Sequence, residues 1–360
     1  MDKLKIAVIG IGHSHVQILY NAFNQYPDQV EWLGMADMPW NTPEQVKRDV
    51  ALNAGTAKDL PLFEEYRALL DKGPDLVLCG SGVQDHVEVA VNALAANAGV
   101  ILEKPMAMSF EDASAMYAAH ERSRGELMVN WPVAWFPAFR KAKELAESGK
   151  IGRIVRFQYR TPATLGPYST KSMDKQTLAD MWWYQKARGG GSIMDYAGYS
   201  AILATWFYGE KRAKTVYGLK KQVFSDFSDV EDYSFFMVDY GDSIALMEGS
   251  WSTVSSGEIP TGPILYGTEG TIVCDRFSDE VKVYNSYRPY KPCLPPDETY
   301  RAAPIEDNLG RCVLAHMLRS EPLFEMITAG FNLRAAAVLS AGCVSCESGQ
   351  PEPVKEYEGV

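Results

Sequence analysis

Cysteine and histidine are scarce in this chain, whose 360 residues include 6 cysteines and 5 histidines. The cysteines are scattered, without the dense spacing of a small secreted domain held together by disulfides. Cys343 and Cys346 form a single C-x-x-C pair inside the apolar, alanine-rich stretch 335–346, which is typical of a buried helix. Because a structural zinc site needs a second such pair, we predict no metal site.

Basic residues and long apolar runs are also in short supply. Lys plus Arg total 35 against 46 Asp plus Glu, a formal net charge of −11. An acidic chain repels the phosphate backbone unless it carries a basic patch, so nucleic acid is not an expected partner. No window approaches the roughly 20 apolar residues of a membrane span, and the N-terminus lacks a secretory signal pattern. We therefore expect a cytoplasmic protein that does not bind membranes.

The chain is long enough for two domains at roughly 150 residues each. In the first part, short apolar runs alternate with helical spacing of apolar residues, which predicts an α/β domain whose parallel sheet is covered on both faces. The runs lie at 5–9, 30–36, 75–79 and 100–102, and the helical segments at 16–26, 43–54 and 87–96. We place this Rossmann-like domain at 1–125.

The second part, 126–360, has a different pattern. Period-two alternation and turn residues such as Gly241-Asp242 predict an α+β domain with an open, mainly antiparallel sheet. Its strands are predicted at 153–160, 215–222, 233–240, 243–252 and 271–275, with helices again over 307–349. An uncovered sheet face needs a partner or a polar coat, so we expect a homodimer or homotetramer.

A glycine turn follows the first strand. Gly10 and Gly12 suit backbone N–H groups that approach a pyrophosphate, and His15 stands where a third glycine is usual. Asp37 ends the second strand, 25 residues beyond Gly12, near the spacing of a carboxylate that binds ribose hydroxyls. It would repel a 2′-phosphate, and no arginine adjoins it in sequence, which favours NAD over NADP. The alternative is that Asp37 caps a turn.

Two histidines lie in this turn. We predict that His13 and the neighbouring Ser14 hydrogen-bond near the cofactor phosphates and that His15 packs in the interior. A metal site is the alternative for the two histidines, but alternate residues of a tight turn diverge and no partner cluster adjoins them in sequence.

Glu103, Lys104 and Pro105 directly follow an apolar run. Ligands bind at the carboxyl ends of strands in an open α/β sheet, so Glu103 and Lys104 are predicted to border the cofactor. A lysine there can hydrogen-bond a substrate hydroxyl or lose its proton when desolvated near a cation. The alternative is an exposed turn lysine.

Taken in order, these motifs resemble the Gfo/Idh/MocA family of oxidoreductases. The matching segments are Gly10-x-Gly12, the Glu-Lys-Pro run, 128–139, 150–154 and the Gly-Gly-Gly-x-x-x-Asp run 189–195. The resemblance implies an N-terminal dinucleotide domain, a C-terminal domain with an open sheet, and a catalytic role for Asp195 beside Lys104. Asp195 could equally cap a helix over 196–208, and the two roles are compatible.

The chain also departs from the family pattern. Tyr199 replaces the histidine that joins the lysine in proton transfer, and we predict that it serves as a relay or second donor. With an ordinary pKa of about 10, tyrosine is a poor base unless a cation such as Lys104 lowers that value. Ser81 begins the segment that replaces the family's T-P-N turn, while His86 keeps its position. With Asn130, these residues are predicted to border the cofactor.

Aromatic residues could form the substrate side of the site. Trp183 and Tyr168 are candidates for a wall against a sugar ring, because binding pockets are rich in aromatic residues. The alternative for the run 182–184 is the core of the second domain.

These features predict an NAD(P)-dependent oxidoreductase that transfers a hydride between nicotinamide and a secondary hydroxyl or carbonyl of a sugar, cyclitol or related polyol. One alternative retains its NAD, as a glycosidase or coupled sugar oxidoreductase does, and bound cofactor that survives purification would favour it. Another is a non-catalytic NAD-binding regulator of the same fold. The retained Lys104 and Asp195 count against the regulator, and the missing histidine counts slightly for it.

Overall fold

The computed structural model describes residues 3–160, 166–167, 173–251, 261–287 and 294–359. Tyr168, one of the predicted substrate-side residues, lies outside these ranges. The described residues form two β-sheets with helices packed against them, and the two sheets correspond to the two kinds of sequence pattern.

The first sheet has six strands in the order β3-β2-β1-β4-β5-β6, and every pairing is parallel. Its strands are β1 (Leu4–Ile9), β2 (Val30–Ala36), β3 (Leu62–Phe63), β4 (Leu76–Cys79), β5 (Gly99–Glu103) and β6 (Leu127–Asn130). The helices of this region are α1 (Val16–Asn24), α2 (Pro43–Asp49), α3 (Tyr66–Leu70), α4 (His86–Ala95) and α5 (Phe110–Glu121). The predicted Rossmann-like architecture is confirmed.

The sixth strand was not predicted as part of this sheet. β6 pairs with β5 in the register Glu103↔Asn130, so the first sheet extends beyond residue 125. All four residues of β6 are buried. β4 is equally short and buried, and the sequence predicts its apolar run, so burial alone does not hide a strand; the pairing with β5 is what identifies β6.

The second sheet has nine strands in the order β14-β13-β12-β11-β7-β10-β9-β8-β15, antiparallel except where β7 meets β10. They are β7 (Ile154–Arg160), β8 (Thr215–Lys221), β9 (Tyr233–Asp239), β10 (Ile244–Ser250), β11 (Ile264–Gly267), β12 (Thr271–Cys274), β13 (Glu280–Tyr284), β14 (Glu298–Arg301) and β15 (Glu352–Pro353). The remaining helices are α6 (Pro137–Glu147), α7 (Lys175–Ala179), α8 (Gly198–Tyr208), α9 (Leu309–Arg319) and α10 (Ala329–Ser348). The mainly antiparallel second sheet is confirmed, including the turn at Gly241, whose φ is +87°.

One helix corrects the expectation that no apolar segment approaches the length of a membrane span. α10 has 20 residues and is long and apolar enough, by length and composition, to cross a membrane. In this structure 67% of its most apolar window is buried inside the protein, where it packs against α5, α8 and β8. Core helices of soluble proteins commonly pass the same test, so the helix is weak evidence for a membrane span.

Candidate functional site

The glycine turn begins directly after β1. Gly10 has a φ of +81°, and a Cβ added there would lie 2.4 Å from the Cβ of Ser81. Glycine is therefore required at this position, because other residues rarely adopt positive φ and the neighbouring backbone leaves no room. The indole of Trp182 donates a hydrogen bond to the Gly12 carbonyl at 2.8 Å. The turn is thus held between β4 and a segment of the second domain.

Asp37 lies beside this turn with 4% of its surface exposed. Its Oδ1 accepts from the backbone N–H of Ile11 at 3.2 Å and of Met38 at 2.9 Å. Its Oδ2 is buried and has no hydrogen-bond partner among the described residues. Burial raises the pKa of this carboxyl, and its backbone hydrogen bonds oppose that rise. The residue therefore stabilises the turn with one oxygen and leaves the other free to accept from a ligand hydroxyl.

The tertiary structure also brings an arginine to this end of the cleft. Arg188, from the second domain, donates to the Asn41 side chain at 3.4 Å. Burial raises the pKa values of Asp49 and Asp85, and the charge of Arg188 opposes this rise in both. No arginine adjoins Asp37 along the chain, because Arg188 lies 151 residues further on. The argument for NAD over NADP thus depends on Asp37 and no longer on the absence of a nearby cation.

Asp85 provides a pH prediction. Burial, opposed by Arg188 and reinforced by Asp37, raises the pKa of Asp85 to about 7, against roughly 3.9 in an unfolded chain. Between these values the folded state holds a proton that the unfolded state has lost, so the free energy of unfolding falls as pH rises through this range. Asp85→Asn should remove this dependence and raise the melting temperature at pH 8 while leaving it nearly unchanged at pH 4.5.

The measurement is the melting temperature of both proteins at several pH values. Asp71→Asn, at an exposed position, is the matched control and should follow the wild-type curve. Parallel curves for wild type and Asp85→Asn would contradict the prediction.

Lys104 is delivered by the carboxyl end of β5, and 2% of its surface is exposed. Its Nζ donates to the Asp195 carboxylate and, at 3.2 Å, to the Asp195 carbonyl. The second carboxylate oxygen of Asp195 accepts from the indole of Trp251 at 2.8 Å. The reading of Lys104 as an exposed turn residue is therefore wrong. Asp195 does not cap a helix, because α8 begins at Gly198 and the carboxylate is occupied by these two donors.

Trp251 was missed from the sequence. It directly follows β10, 56 residues beyond Asp195, and nothing in its local pattern marks it. Since its indole can donate but not accept, the bond orients Asp195 without competing for the proton of Lys104.

Tyr199 lies next to this pair with its ring facing the lysine. The Lys104 Nζ is 4.8 Å from the ring centroid. Burial, followed by the charges of Asp195 and Glu103, raises the pKa of Tyr199 well above its ordinary value. The nearby cation therefore does not make this tyrosine a base. Its hydroxyl stays protonated at neutral pH, so it can donate a hydrogen bond but does not serve as a general base; the relay role stays a prediction.

Glu103 is fully buried and holds several polar groups of the site together. One carboxylate oxygen accepts from the Asn130 amide at 2.6 Å. The other lies 3.1 Å from His15 Nδ1 and 3.9 Å from His13 Nε2. Its neighbours all come from turns at the carboxyl ends of β1, β5 and β6, which is why a parallel sheet assembles them.

The ligand atoms of His13, His15 and Glu103 lie within 4.8 Å of one another, so they could hold a metal ion. The absence of a metal stays a prediction.

The two histidines occupy different surroundings from those expected. His13 is buried, and its ring centroid lies 4.6 Å from that of Trp183. Burial, followed by the charges of His15 and Lys104, lowers its pKa well below the usual value, so it is neutral. His15 lines a cavity with Ser14. His13, not His15, is therefore the histidine that packs in the interior. His15 is the histidine that a ligand can reach.

His86 lies behind the lysine. Its Nδ1 is 3.1 Å from the Met106 carbonyl, and burial lowers its pKa to about 4. The neutral ring packs against the backbone of the turn that carries Lys104. His86 thus supports this turn.

A cavity of ≈160 Å³ connects these groups and is lined by Ser14, His15, Lys104, Trp183, Asp195 and Tyr199, among others. Trp182 and Trp183 stack with ring centroids 3.9 Å apart. Trp182 covers the glycine turn and Trp183 forms part of the cavity wall. Arg276 also lines the cavity, and its buried Nε has no hydrogen-bond partner among the described residues. Sequence reasoning missed this arginine, because it follows β12 without a motif.

Comparison with known proteins identifies the scaffold. Residues 4–131 match the oxidoreductase family with an NAD-binding Rossmann fold, and residues 139–273 match the Gfo/Idh/MocA C-terminal domain. The chain belongs to the Gfo/Idh/MocA family. Both matched regions contribute to the cavity, since the first contains Lys104 and the second contains Asp195. The family suggested by the sequence motifs is thus confirmed.

Individual relatives match part of the chain. Levoglucosan dehydrogenase of Pseudarthrobacter phenanthrenivorans is 30% identical over 151 residues, which cover 41% of this chain and 36% of that protein. Inositol 2-dehydrogenase of Salmonella typhimurium is 27% identical over 183 residues, 49% of this chain and 51% of that protein. The chain therefore spans about half or less of these relatives.

A solved structure shows the same fold over a longer range. The WlbA dehydrogenase of Bordetella pertussis, in complex with NADH and UDP-GlcNAcA, superposes with a TM-score of 0.74 and 18% identity. The superposition covers 99% of this chain and 100% of that one.

Proposed function

We propose that this Gfo/Idh/MocA protein is an NAD-dependent dehydrogenase that acts on a secondary hydroxyl, or the corresponding carbonyl, of a sugar, cyclitol or related polyol. The observation that carries the proposal is the buried Lys104–Asp195 pair, which lines a cavity beside the glycine turn. A charged pair in a buried place is costly unless it is hydrogen-bonded, and such groups in a cleft are typical of functional sites.

The residues present fit a dinucleotide. Gly10 has no Cβ where one would collide with Ser81, and a tight turn without side chains is what a pyrophosphate requires. The buried Oδ2 of Asp37, without a partner among the described residues, provides an acceptor for a ribose hydroxyl. When bound, NAD supplies the hydride acceptor, or NADH the donor, of the reaction.

The side chains around the cavity account for proton transfer and orientation. Lys104 can hydrogen-bond the reacting oxygen of a substrate and move a proton to or from it, while Asp195 and Trp251 hold the ammonium in place. Tyr199, kept neutral by burial, is available as a second donor. Trp183 presents an aromatic wall of the kind that packs against sugar rings.

The relatives support the substrate class, since levoglucosan dehydrogenase and inositol 2-dehydrogenase are named for polyhydroxylated rings. The WlbA complex with NADH supports the cofactor. Asp37 favours NAD over NADP, because its charge would repel a 2′-phosphate. Arg276 adds a cation to the cavity, so sugar acids belong among the candidate substrates.

The test is isothermal titration with NAD and with NADP, followed by a screen for absorbance change at 340 nm. The screen includes neutral polyols and sugar acids. We expect NAD to bind more tightly than NADP and at least one polyol to be turned over. Absence of heat with both cofactors, together with no cofactor absorbance in the supernatant of denatured protein, would overturn the proposal. Cofactor found in that supernatant would indicate a dehydrogenase that retains its NAD.

We further propose that the protein self-associates through the exposed face of the second sheet. On this face Tyr217 pairs with Met237, and Met237 pairs with Leu246 on the next strand. Leu219 and Met237 are 54% and 46% exposed. An apolar stripe of this kind marks an interaction surface.

The expectations of a cytoplasmic location and of no membrane or nucleic-acid partner stay predictions.

Charge placed on this stripe should separate the subunits. We expect the double variant Leu219→Asp, Met237→Asp to elute as a monomer in size-exclusion chromatography with light scattering, because two carboxylates per subunit would be desolvated in the interface. Ile18→Asp is the matched control, since Ile18 is 51% exposed on α1, and it should keep the wild-type mass. A monomeric wild type, or an unchanged mass in the double variant, would exclude this surface.

A further inference from the structure

A second cavity, of ≈360 Å³, lies at the opposite end of α8 from the Lys104–Asp195 site. It is enclosed by α5, α8, the first half of α10, the loop after α8 and the segment 354–357. Tyr199, near the start of α8, lines the first cavity, whereas Thr205, near its end, lines this one. The volume falls within the roughly 300–1,000 Å³ that is usual for small-molecule sites.

Two arginines give this cavity its charge. Arg212 and Arg334 both line it. The lysines that line it each form an ion pair with an acidic neighbour, but neither arginine forms an ion pair with any of the residues that the structure describes. One Nη of Arg334 donates to the Gly209 carbonyl at 2.9 Å, and its guanidinium stacks 4.6 Å from the ring centroid of Phe331. These contacts fix the orientation of Arg334 and leave other N–H groups of its guanidinium free to donate to a ligand.

The acidic residues nearby do not neutralise these charges. Burial, followed by the charge of Arg212, lowers the pKa of Arg334. Glu210 and Glu325 raise it, but they act from beyond ion-pair distance. Glu356 also lines the cavity, at an exposed position. Two like charges that face one cavity repel each other, and an anion between them would relieve this repulsion.

The floor of the cavity presents a further polar group. The Tyr240 hydroxyl is buried, with 5% of the residue exposed, and has no hydrogen-bond partner among the described residues. Thr205 is its polar neighbour and, because it donates to the Ala201 carbonyl at 2.8 Å, could only accept from Tyr240, but the two hydroxyls do not form a hydrogen bond of acceptable geometry. A buried hydroxyl without a partner is costly. The remaining wall is apolar and is formed by Phe110, Tyr117, Leu333, Ala337 and Val338.

We propose that this cavity binds a small organic anion, a carboxylate or a phosphate ester attached to an apolar body. The anionic group lies between Arg212 and Arg334, whose planar guanidiniums suit carboxylate and phosphate oxygens. The Tyr240 hydroxyl donates to the same group or to a neighbouring oxygen, and the apolar body packs against the wall. The site is separate from the proposed cofactor cleft and does not depend on the proposed reaction.

The test is isothermal titration of the full chain with phenyl phosphate, benzoate and the uncharged benzyl alcohol. We expect one or both anions to bind and the alcohol not to bind, and the two anions distinguish a phosphate from a carboxylate ligand. Arg212→Gln should weaken the binding by about tenfold or more, as for the loss of a hydrogen bond to a charged group. Tyr240→Phe, which removes only a hydroxyl, should weaken it by a smaller factor. Arg301→Gln, at an exposed arginine of β14, is the matched control and should change nothing.

The glycine turn is itself an anion site, so the titration is repeated with excess NAD. Unchanged binding excludes the glycine turn, and weaker binding in Arg212→Gln then places the anion in the second cavity. Abolition of the binding by NAD, equal binding by benzyl alcohol, no binding of either anion, or full affinity in Arg212→Gln would each overturn the proposal. Arg212 is exposed, so its variant should fold, and a wild-type melting temperature checks this.

Discussion

Lys104→Ala should lower turnover by about 10²–10⁴-fold, the range expected for loss of a general acid or base, with NAD affinity unchanged. The reason is that Lys104 and the groups proposed to bind the dinucleotide occupy different places. The Lys104 ammonium is buried against Asp195 at the cavity, whereas the groups assigned to the dinucleotide lie at the glycine turn and at Asp37. The measurement compares kcat on the substrate found in the 340 nm screen with the Kd for NAD by titration.

The interpretation needs controls for folding and for charge. Removal of the ammonium leaves the Asp195 carboxylate with Trp251 as its side-chain donor, so the melting temperature of the variant must be measured. Lys58→Ala removes a lysine at an exposed position of the first domain and should leave kcat unchanged. Wild-type turnover in Lys104→Ala would remove this residue from the mechanism. Parallel loss of NAD binding would indicate that it supports the cofactor instead.

Asp37→Ala should weaken NAD binding by about 10- to 100-fold, as for hydrogen bonds to a charged acceptor. NADP binding should weaken less than NAD binding, or become stronger, because the loss of turn support affects both cofactors. The carboxylate that repels a 2′-phosphate is then gone, while Arg188 remains on the same side of the cleft. The measurement is the ratio of the two dissociation constants by titration.

Two further variants distinguish the causes. If Arg188 attracts the 2′-phosphate, the double variant Asp37→Ala, Arg188→Gln should lose any gain in NADP binding. Asp59→Ala removes an exposed carboxylate from the same domain and should leave both affinities unchanged. An unchanged NAD-to-NADP ratio in Asp37→Ala would show that this carboxylate does not select the cofactor.

Local sequence patterns were sufficient for much of the fold. The alternation of apolar runs and helical segments predicts the parallel sheet, because buried parallel strands read as continuous apolar runs. The period-two pattern predicts β8, β9 and β10 to within two residues at either end. β6 was not predicted, although β4 is equally short and buried, and its pairing with β5 reveals it.

The residues of the candidate site also fall into those that sequence patterns could find and those that they could not. Gly10, Asp37 and Lys104 could be found from the sequence, because each follows a strand and the carboxyl ends of parallel strands meet at one edge. The resemblance to the family identified Asp195 as a further site residue. Trp251 and Arg276 carry no local motif, and Arg188 directly precedes the glycine run 189–191; all three were missed, since each approaches the cleft from the second domain.

The sequence by itself therefore determined the order of the elements, the family and the residues at the strand ends, since these depend on neighbours along the chain. Only the tertiary structure decided which further side chains meet across long stretches of chain, as Trp251 and Asp195 do across 56 residues. It also decided their chemistry, because burial keeps Tyr199 protonated and His13 neutral. Desolvation and the distance between charges depend on the packing of the whole chain, and no local pattern contains them.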